Sequence, residues 1–259
     1  MDLGIAGRKA IVCASSRGLG RACAEALAEA GCEVVINGRN PETLQKTADE
    51  IAKKTGAKII AVAADVTTHA GQKAILAACP SPDILVNNAD GPPPKSYKQI
   101  DREGMIAGVT SNMIAPVEMI QHVVPGMVER GFGRIVNITS ASVRTPLTGL
   151  DLSSGARAGL TAFLGGVARE IAGSNVTINH ILPGVFDTDR FTNANKRMAE
   201  MKNLTPEAAR DARIASVPAK RLGDPREFGQ LCAFICSAHA GYMVGQNFLI
   251  DGGAFATNF

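Results

Sequence analysis

An α/β fold, a doubly wound parallel sheet of seven strands with helices on both faces, is predicted by three observations. Short runs rich in Ile, Val and Ala recur along the chain, as strands buried on both faces require. Helical stretches separate them throughout, which implies parallel crossovers. A glycine-rich turn joins the first strand to the first helix. The length of 259 residues suits one such domain, 1–259, around a single sheet.

The elements follow in order. Strands are expected over 9–14, 33–37, 58–63, 83–87, 133–138, 176–182 and 246–250. Helices are expected near 18–30, 41–54, 69–78, 99–110, 111–130, 152–173 and 224–237. Asn40-Pro41-Glu42 is a start signal, with an N-cap residue and then proline in the first turn. Gly131-Phe132-Gly133 stops one helix before a strand. Pro92-Pro93-Pro94 is a stiff loop at the C-terminal strand edge, where an open parallel sheet binds ligands.

Composition excludes several classes. Net charge is +3, and the Lys and Arg are scattered, so no nucleic-acid patch is expected. No apolar run approaches the roughly 18 residues of a membrane span, and no signal peptide is visible, so a cytoplasmic enzyme is expected. Cys13, Cys23, Cys32, Cys79, Cys232 and Cys236 form no C-x-x-C pair and have no histidine at ligand spacing. Reduced structural thiols and no metal site are expected.

Several motifs carry chemistry. Ala14-Ser15-Ser16-Arg17-Gly18-Leu19-Gly20 feeds a helix N-terminus, where backbone N–H groups and the helix dipole favour a pyrophosphate. Ala14 stands where such turns have their first glycine, which is tolerated if its φ is negative. No acid ends the second strand. Arg39, with Arg17, instead offers charge-assisted bonds to a 2′-phosphate, and two solvated surface arginines are the alternative. Asp65-Val66, Asn87-Asn88-Ala89, Asn112, Asn137-Ile138-Thr139-Ser140, Pro183-Gly184 and Asp251-Gly252-Gly253 complete an ordered set.

In that order and spacing the whole chain resembles the short-chain dehydrogenase/reductase family, nearest to its 3-oxoacyl-acyl-carrier-protein reductases. The resemblance implies a Rossmann-type fold and NADP(H) as cofactor. It places Ser15, Ser16, Arg17, Gly18, Leu19, Gly20, Arg39, Asp65, Val66, Asn88, Ala89, Arg157, Pro183, Gly184 and Thr188 at the cofactor. It makes 187–222 the mobile lid; Asp90, Ser142, Arg144, Val185 and Phe186, read from their places beside the serine turn, the cofactor and the lid, are the substrate-pocket candidates. A homodimer or homotetramer is implied, through helices near 99–130 and 152–173 and through a tail carrying Phe248, Phe255 and Phe259.

Three further positions depart from the family pattern. Ser153 and Arg157 stand where the family has its catalytic tyrosine and lysine, while Ser140 and Asn112 match its serine and asparagine. The i,i+4 spacing still turns Ser153 and Arg157 to one side of a helix. A serine is a far weaker acid than a phenol, and arginine cannot act as a base. Asp90 stands where the family has glycine. It adds negative charge near the cofactor, or turns outward beside Gly91.

The catalytic candidates are therefore Ser140, Arg157, Asn112 and Ser153. Tyr97 and a serine-held water are the substitutes considered for the missing acid. The reading favoured is an atypical NADP(H)-dependent oxidoreductase acting on a small carbonyl or hydroxy compound. A non-redox enzyme acting on a β-keto or enolisable substrate, and a silent nucleotide-binding protein, are the alternatives.

Overall fold

The chain is described by a computed structural model over residues 1–257. Seven strands form one parallel sheet: β1 (Lys9–Val12), β2 (Glu33–Gly38), β3 (Ile59–Ala63), β4 (Ile84–Asn87), β5 (Gly133–Ile138), β6 (Val176–Pro183) and β7 (Asn247–Ile250). Their spatial order is β3-β2-β1-β4-β5-β6-β7, and every neighbouring pair is parallel. Chain direction across the sheet reverses beside β1. The crevice for ligands therefore opens at the C-terminal ends of β1 and β4.

Both faces of the sheet are covered, and the strand residues divide by the period of two. Ala10, Val12, Val34, Ile36, Ile84, Val86 and Val136 pack on one side. There they meet α1 (Gly18–Glu29), α2 (Pro41–Thr55) and α9 (Pro225–Ile235). Ile11, Cys13, Val35, Leu85 and Ile135 pack on the other side. There they meet α3 (His69–Ala78), α5 (Ala115–Glu129) and α6 (Asp151–Ile171). All six cysteines are buried and free, and burial pushes the Cys13 thiol up to about 12.

Buried amides tie the middle strands together. Asn87 Nδ2 donates to Asn137 Oδ1 at 3.0 Å, and Asn137 Nδ2 to the Asn179 carbonyl at 3.5 Å. Asn179 Nδ2 then reaches the Met243 carbonyl at 2.8 Å. The chain of amides crosses β4, β5 and β6 just below the crevice.

Two regions differ from the sequence expectation. The stretch 99–130 is broken into a 3-10 turn (Tyr97–Gln99), α4 (Arg102–Val109), a π-helical turn (Thr110–Ile114) and α5. The lid, 187–222, holds two helices, α7 (Asp189–Lys202) and α8 (Pro206–Ser216). Their caps stand in the sequence. Thr188 and Thr205 each accept a backbone N–H, and Asn203 ends α7 in the left-handed conformation at φ 51°. Their low apolar content hides the helical period, because little more than Ala199 and Ala209 is buried.

His180 lies in β6, 2% exposed, and its Nδ1 has no protein partner. Burial disfavours its charged form and pulls its pKa down to about 4. The unfolded chain therefore takes up this proton first. Stability should fall as pH drops from about 6.5 to about 4, at up to roughly 1.4 kcal/mol per pH unit. Urea unfolding between pH 4 and 7 should show a shallower slope for His180→Leu than for the parent chain.

Candidate active site

The first turn is built to receive an anion. Helices α2, α3, α4, α7, α8 and α9 each begin with a capping side chain. Helix α1, whose N-cap is Arg17, has no side-chain cap, as α5 and α6 have none, and it alone of these three has no acid in its first turn. Its first N–H groups are left for a ligand. Gly18 takes φ +60°, and the side chain nearest to its open Cβ position is Thr188, at 3.9 Å. Any side chain at Gly20 would start 2.5 Å from the Ala14 carbonyl oxygen and 2.9 Å from Asn88 Nδ2. These features fit a dinucleotide pyrophosphate between the start of α1 and the start of the lid.

Side chains behind the turn hold it. Asn88 Nδ2 donates to the Ala14 carbonyl at 3.1 Å. Asn37 Oδ1 accepts from Ala14 N at 3.3 Å, and Asn37 Nδ2 donates to the Val62 and Ala64 carbonyls. Two expectations change here. Ala14 has φ +44°, not a negative value. Ser15 is fully buried; its hydroxyl donates to the Val12 carbonyl and accepts from Asn37 N. Ser15 thus shapes the turn and does not face the crevice. Ser16, Arg17 and Leu19 are partly or fully exposed around it.

Around the second strand end, charge gathers. Arg39 Nη2 bonds Asp90 Oδ2 at 2.5 Å, and both side chains are largely exposed. Asp65 Oδ1 accepts from Thr67 N at 2.9 Å and Thr67 Oγ1 at 2.7 Å. The Thr67 backbone bond, with help from its hydroxyl and from nearby Arg39, holds the Asp65 carboxyl below its usual range. Val66 is buried, and its carbonyl accepts from Gln72. Ala89 is half-buried. From α7, the Arg190 guanidinium crosses to this edge: its Nη2 lies 2.7 Å from where a side chain on Gly91 would begin.

Two serines are set as hydrogen-bond donors. Ser140 Oγ accepts from Ser142 N at 3.1 Å and Ser142 Oγ at 2.9 Å, which leaves its own proton to give. Ser153 Oγ accepts from Arg157 Nε at 3.3 Å. Arg157 Nη1 donates at 2.7 Å to the carbonyl of Ile138, two residues before Ser140. Arg157 is 6% exposed and has no carboxylate partner among the described residues. Burial, with Arg190 adding to it, lowers its pKa to about 10, so it stays cationic at neutral pH.

Arg157 was expected at the cofactor ribose. With Nε and Nη1 given to Ser153 and Ile138, Nη2 is the terminal nitrogen left for that role. Asn112 lies in the π-helical turn. Its Nδ2 donates to the Gly108 carbonyl and Ser111 Oγ, and its buried Oδ1 has no protein donor. A π turn of this kind frequently marks a functional position.

A cavity of about 300 Å³ runs from Arg39 and Asp90 past the proline loop to Ser153. Lys95, Ile100, Ser111, Leu150 and Leu152 line it, residues that sequence reasoning did not single out. Other pocket candidates lie elsewhere. Ser142 is 1% exposed and stands behind Ser140. Phe186 is 5% exposed and packs edge-to-face on Phe228 at 5.5 Å. Val185 and Phe186 line a separate cavity of about 190 Å³ at the base of the lid. Arg144 is exposed beyond the serine turn. Tyr97 is 70% exposed on the outer side, and Tyr242 stands free in solvent.

The lid is pinned at its base. Asp187 N donates to the Gly223 carbonyl and Gly223 N to the Val185 carbonyl, each at 2.9 Å. The Asp187 carboxylate also takes a paired grip from Arg210 on α8. Thr188 caps α7, and Gly184 N donates to the Ile250 carbonyl beside Pro183. Phe248 and Phe255 are half-buried near the tail, and Phe259 lies outside the described residues. Among the described residues there is no cluster that could hold a metal, and no helix is long and apolar enough to cross a membrane.

Comparison with known proteins bears on the family and the fold. Residues 13–254 match the family model described as enoyl-(acyl carrier protein) reductase. The NADPH-dependent reductase BacG of Bacillus subtilis is 31% identical over 253 residues, covering 95% of this chain and 97% of that protein. The 3-oxoacyl-[acyl-carrier-protein] reductase FabG of Vibrio cholerae is 30% identical, covering 98% of this chain and 99% of that protein. L-sorbose reductase from Gluconobacter frateurii, solved with NADPH and L-sorbose, superposes with a TM-score of 0.93 at 29% identity, covering 99% of this chain and 100% of that one.

The left-handed conformation costs a non-glycine residue about 1–2 kcal/mol, and glycine gives back part of that gain as backbone entropy. Ala14→Gly should therefore raise the free energy of urea unfolding by about 0.5–1 kcal/mol. A loss of stability would show that the turn does not hold Ala14 in this conformation.

Proposed function

The chain belongs to the short-chain dehydrogenase/reductase family, and we propose that it is an NADP(H)-dependent oxidoreductase reducing a ketone, or oxidising a secondary alcohol, without the family's phenol. The observation that carries this reading is the pair of serine hydroxyls, each accepting on oxygen and so offering its proton. The uncapped start of α1 holds the pyrophosphate, and Arg39 takes the 2′-phosphate.

When bound, NADPH supplies the hydride for the carbonyl carbon, and the oxygen needs a proton. Ser140 and Ser153 donate to that oxygen as negative charge develops on it. Such donors are typically worth about 10²–10³ in rate. Arg157 holds Ser153 by its oxygen and places a desolvated positive charge behind it, which strengthens the hydroxyl as a donor. The guanidinium gives no proton itself, because it stays cationic near neutral pH. The proton comes from water entering the cavity that Ser153 lines.

Pro92, Pro93, Ile100, Leu150 and Leu152 make that cavity largely apolar. A small or acyl-chain carbonyl compound suits it, and no nucleic acid or membrane is called for. Ile106, Ile114 and Phe163 stand exposed on α4, the π turn and α6. This supports a homodimer or homotetramer through these helices.

Calorimetric titration with NADPH and NADH tests the cofactor reading. Selective NADPH binding, weakened about tenfold or more by Arg39→Ala, is the expected result. No binding of either nucleotide at millimolar concentration would sink the reading and favour cofactor-free chemistry. With a carbonyl substrate found by NADPH consumption, Ser140→Ala should lower kcat about 10²-fold. Ser142→Ala, which only removes support from Ser140, should lower it less than about tenfold. Equal losses would show that Ser142 itself touches the substrate.

A further inference from the structure

We propose that Asp90 occupies the 2′-phosphate fork of Arg39 from within the chain, and so sets how strongly the protein prefers NADP(H) to NAD(H). This rests on the reading of Arg39 as the phosphate-binding residue. The family's glycine at this position has no side chain to do it.

The position of the bond follows from the sheet order. Arg39 leaves the end of β2 and Asp90 follows the end of β4, the two strands that flank β1. The Arg39–Asp90 bond therefore passes over the end of β1, above the glycine-rich turn. A nucleotide settling on that turn has to meet this bond. Both residues line one end of the cavity that reaches Ser153.

Asp90, and not Asp65, is the competitor. Asp65 is charged and near Arg39, but its Oδ1 is already bonded by Thr67 N and Oγ1. Asp90 has no partner other than Arg39 among the described residues. The bond is exposed, with 67% and 78% of the two side chains open to solvent. Exposed pairs are weak and exchange readily, so a doubly charged phosphate can displace a single carboxylate. The released carboxylate is not stranded, because Arg190 lies against the next residue, Gly91. NAD(H) has no 2′-phosphate and neither needs Arg39 nor gains from its release.

The test is calorimetric binding of NADPH, NADH and adenosine 2′,5′-bisphosphate to the parent chain, Asp90→Asn, Asp90→Gly, Arg39→Ala and the Arg39→Ala/Asp90→Asn pair. Asp90→Asn and Asp90→Gly should each tighten NADPH and the bisphosphate by about fivefold, and leave NADH within about twofold. On the Arg39→Ala background the Asp90→Asn gain should vanish. An unchanged or weaker NADPH affinity, an equal gain for NADH, or a gain that survives Arg39→Ala would overturn the proposal while NADPH binding by the parent chain stands. If neither the parent chain nor Asp90→Asn binds NADPH, the oxidoreductase reading falls and this proposal with it.

Discussion

One buried amide fixes the crevice. Asn37, at the end of β2, gives its side-chain oxygen to the Ala14 N–H and its side-chain NH2 to two carbonyls at the end of β3. Its backbone N–H and carbonyl are both taken by Ser15. Among the described residues the Ala14 N–H and carbonyl have side-chain partners alone, and an unpaired buried polar group is costly. Asn37 meets that need from the side, so the turn can hold a left-handed Ala14. The start of α1 is then free to face a ligand. Asn88 completes the same work from β4 through the Ala14 carbonyl.

The second centre of order is Arg157. A lysine ends in a single point of charge, whereas a guanidinium is a planar fork. Arg157 uses that fork to join Ser153 on α6 to the last carbonyl of β5. It therefore positions the helix against the strand that carries Ser140. A buried cation with no carboxylate beside it is unfavourable unless an anion or developing negative charge arrives. Arg190 adds a second positive charge from the lid. The site is thereby biased toward a carbonyl oxygen gaining charge.

Much of this was legible in the sequence, for a physical reason. Strands buried on both faces must be continuously apolar, and the glycine-rich turn has steric demands that few residues meet. Hence the strand runs and the motif order stood out. The lid helices did not, because α7 and α8 bury almost nothing and show their caps without an apolar stripe. Ser15, Ser142 and Phe186 are buried side chains in turns and at the lid base, where no sequence period marks which way a side chain points. Lys95 and Arg190 were missed because a loop and the lid bring them in through space, with no spacing rule to mark them.

On the proposed reading, Ser153 and Arg157 change the kind of catalysis more than its location. A phenol and a lysine titrate near pH 10, so such a pair can hold and release a proton within reach of working pH. Serine and arginine do neither. What remains is a set of oriented donors backed by fixed positive charge. Such a site lowers a barrier by stabilising charge and leaves the proton itself to water. Ser140 is braced by two donors and Ser153 by one, so neither hydroxyl has to reorganise when the oxygen becomes negative. Burial of Arg157 keeps its charge unscreened. On the proposed reading, serine and arginine at 153 and 157 therefore replace proton transfer by a side chain with electrostatic support.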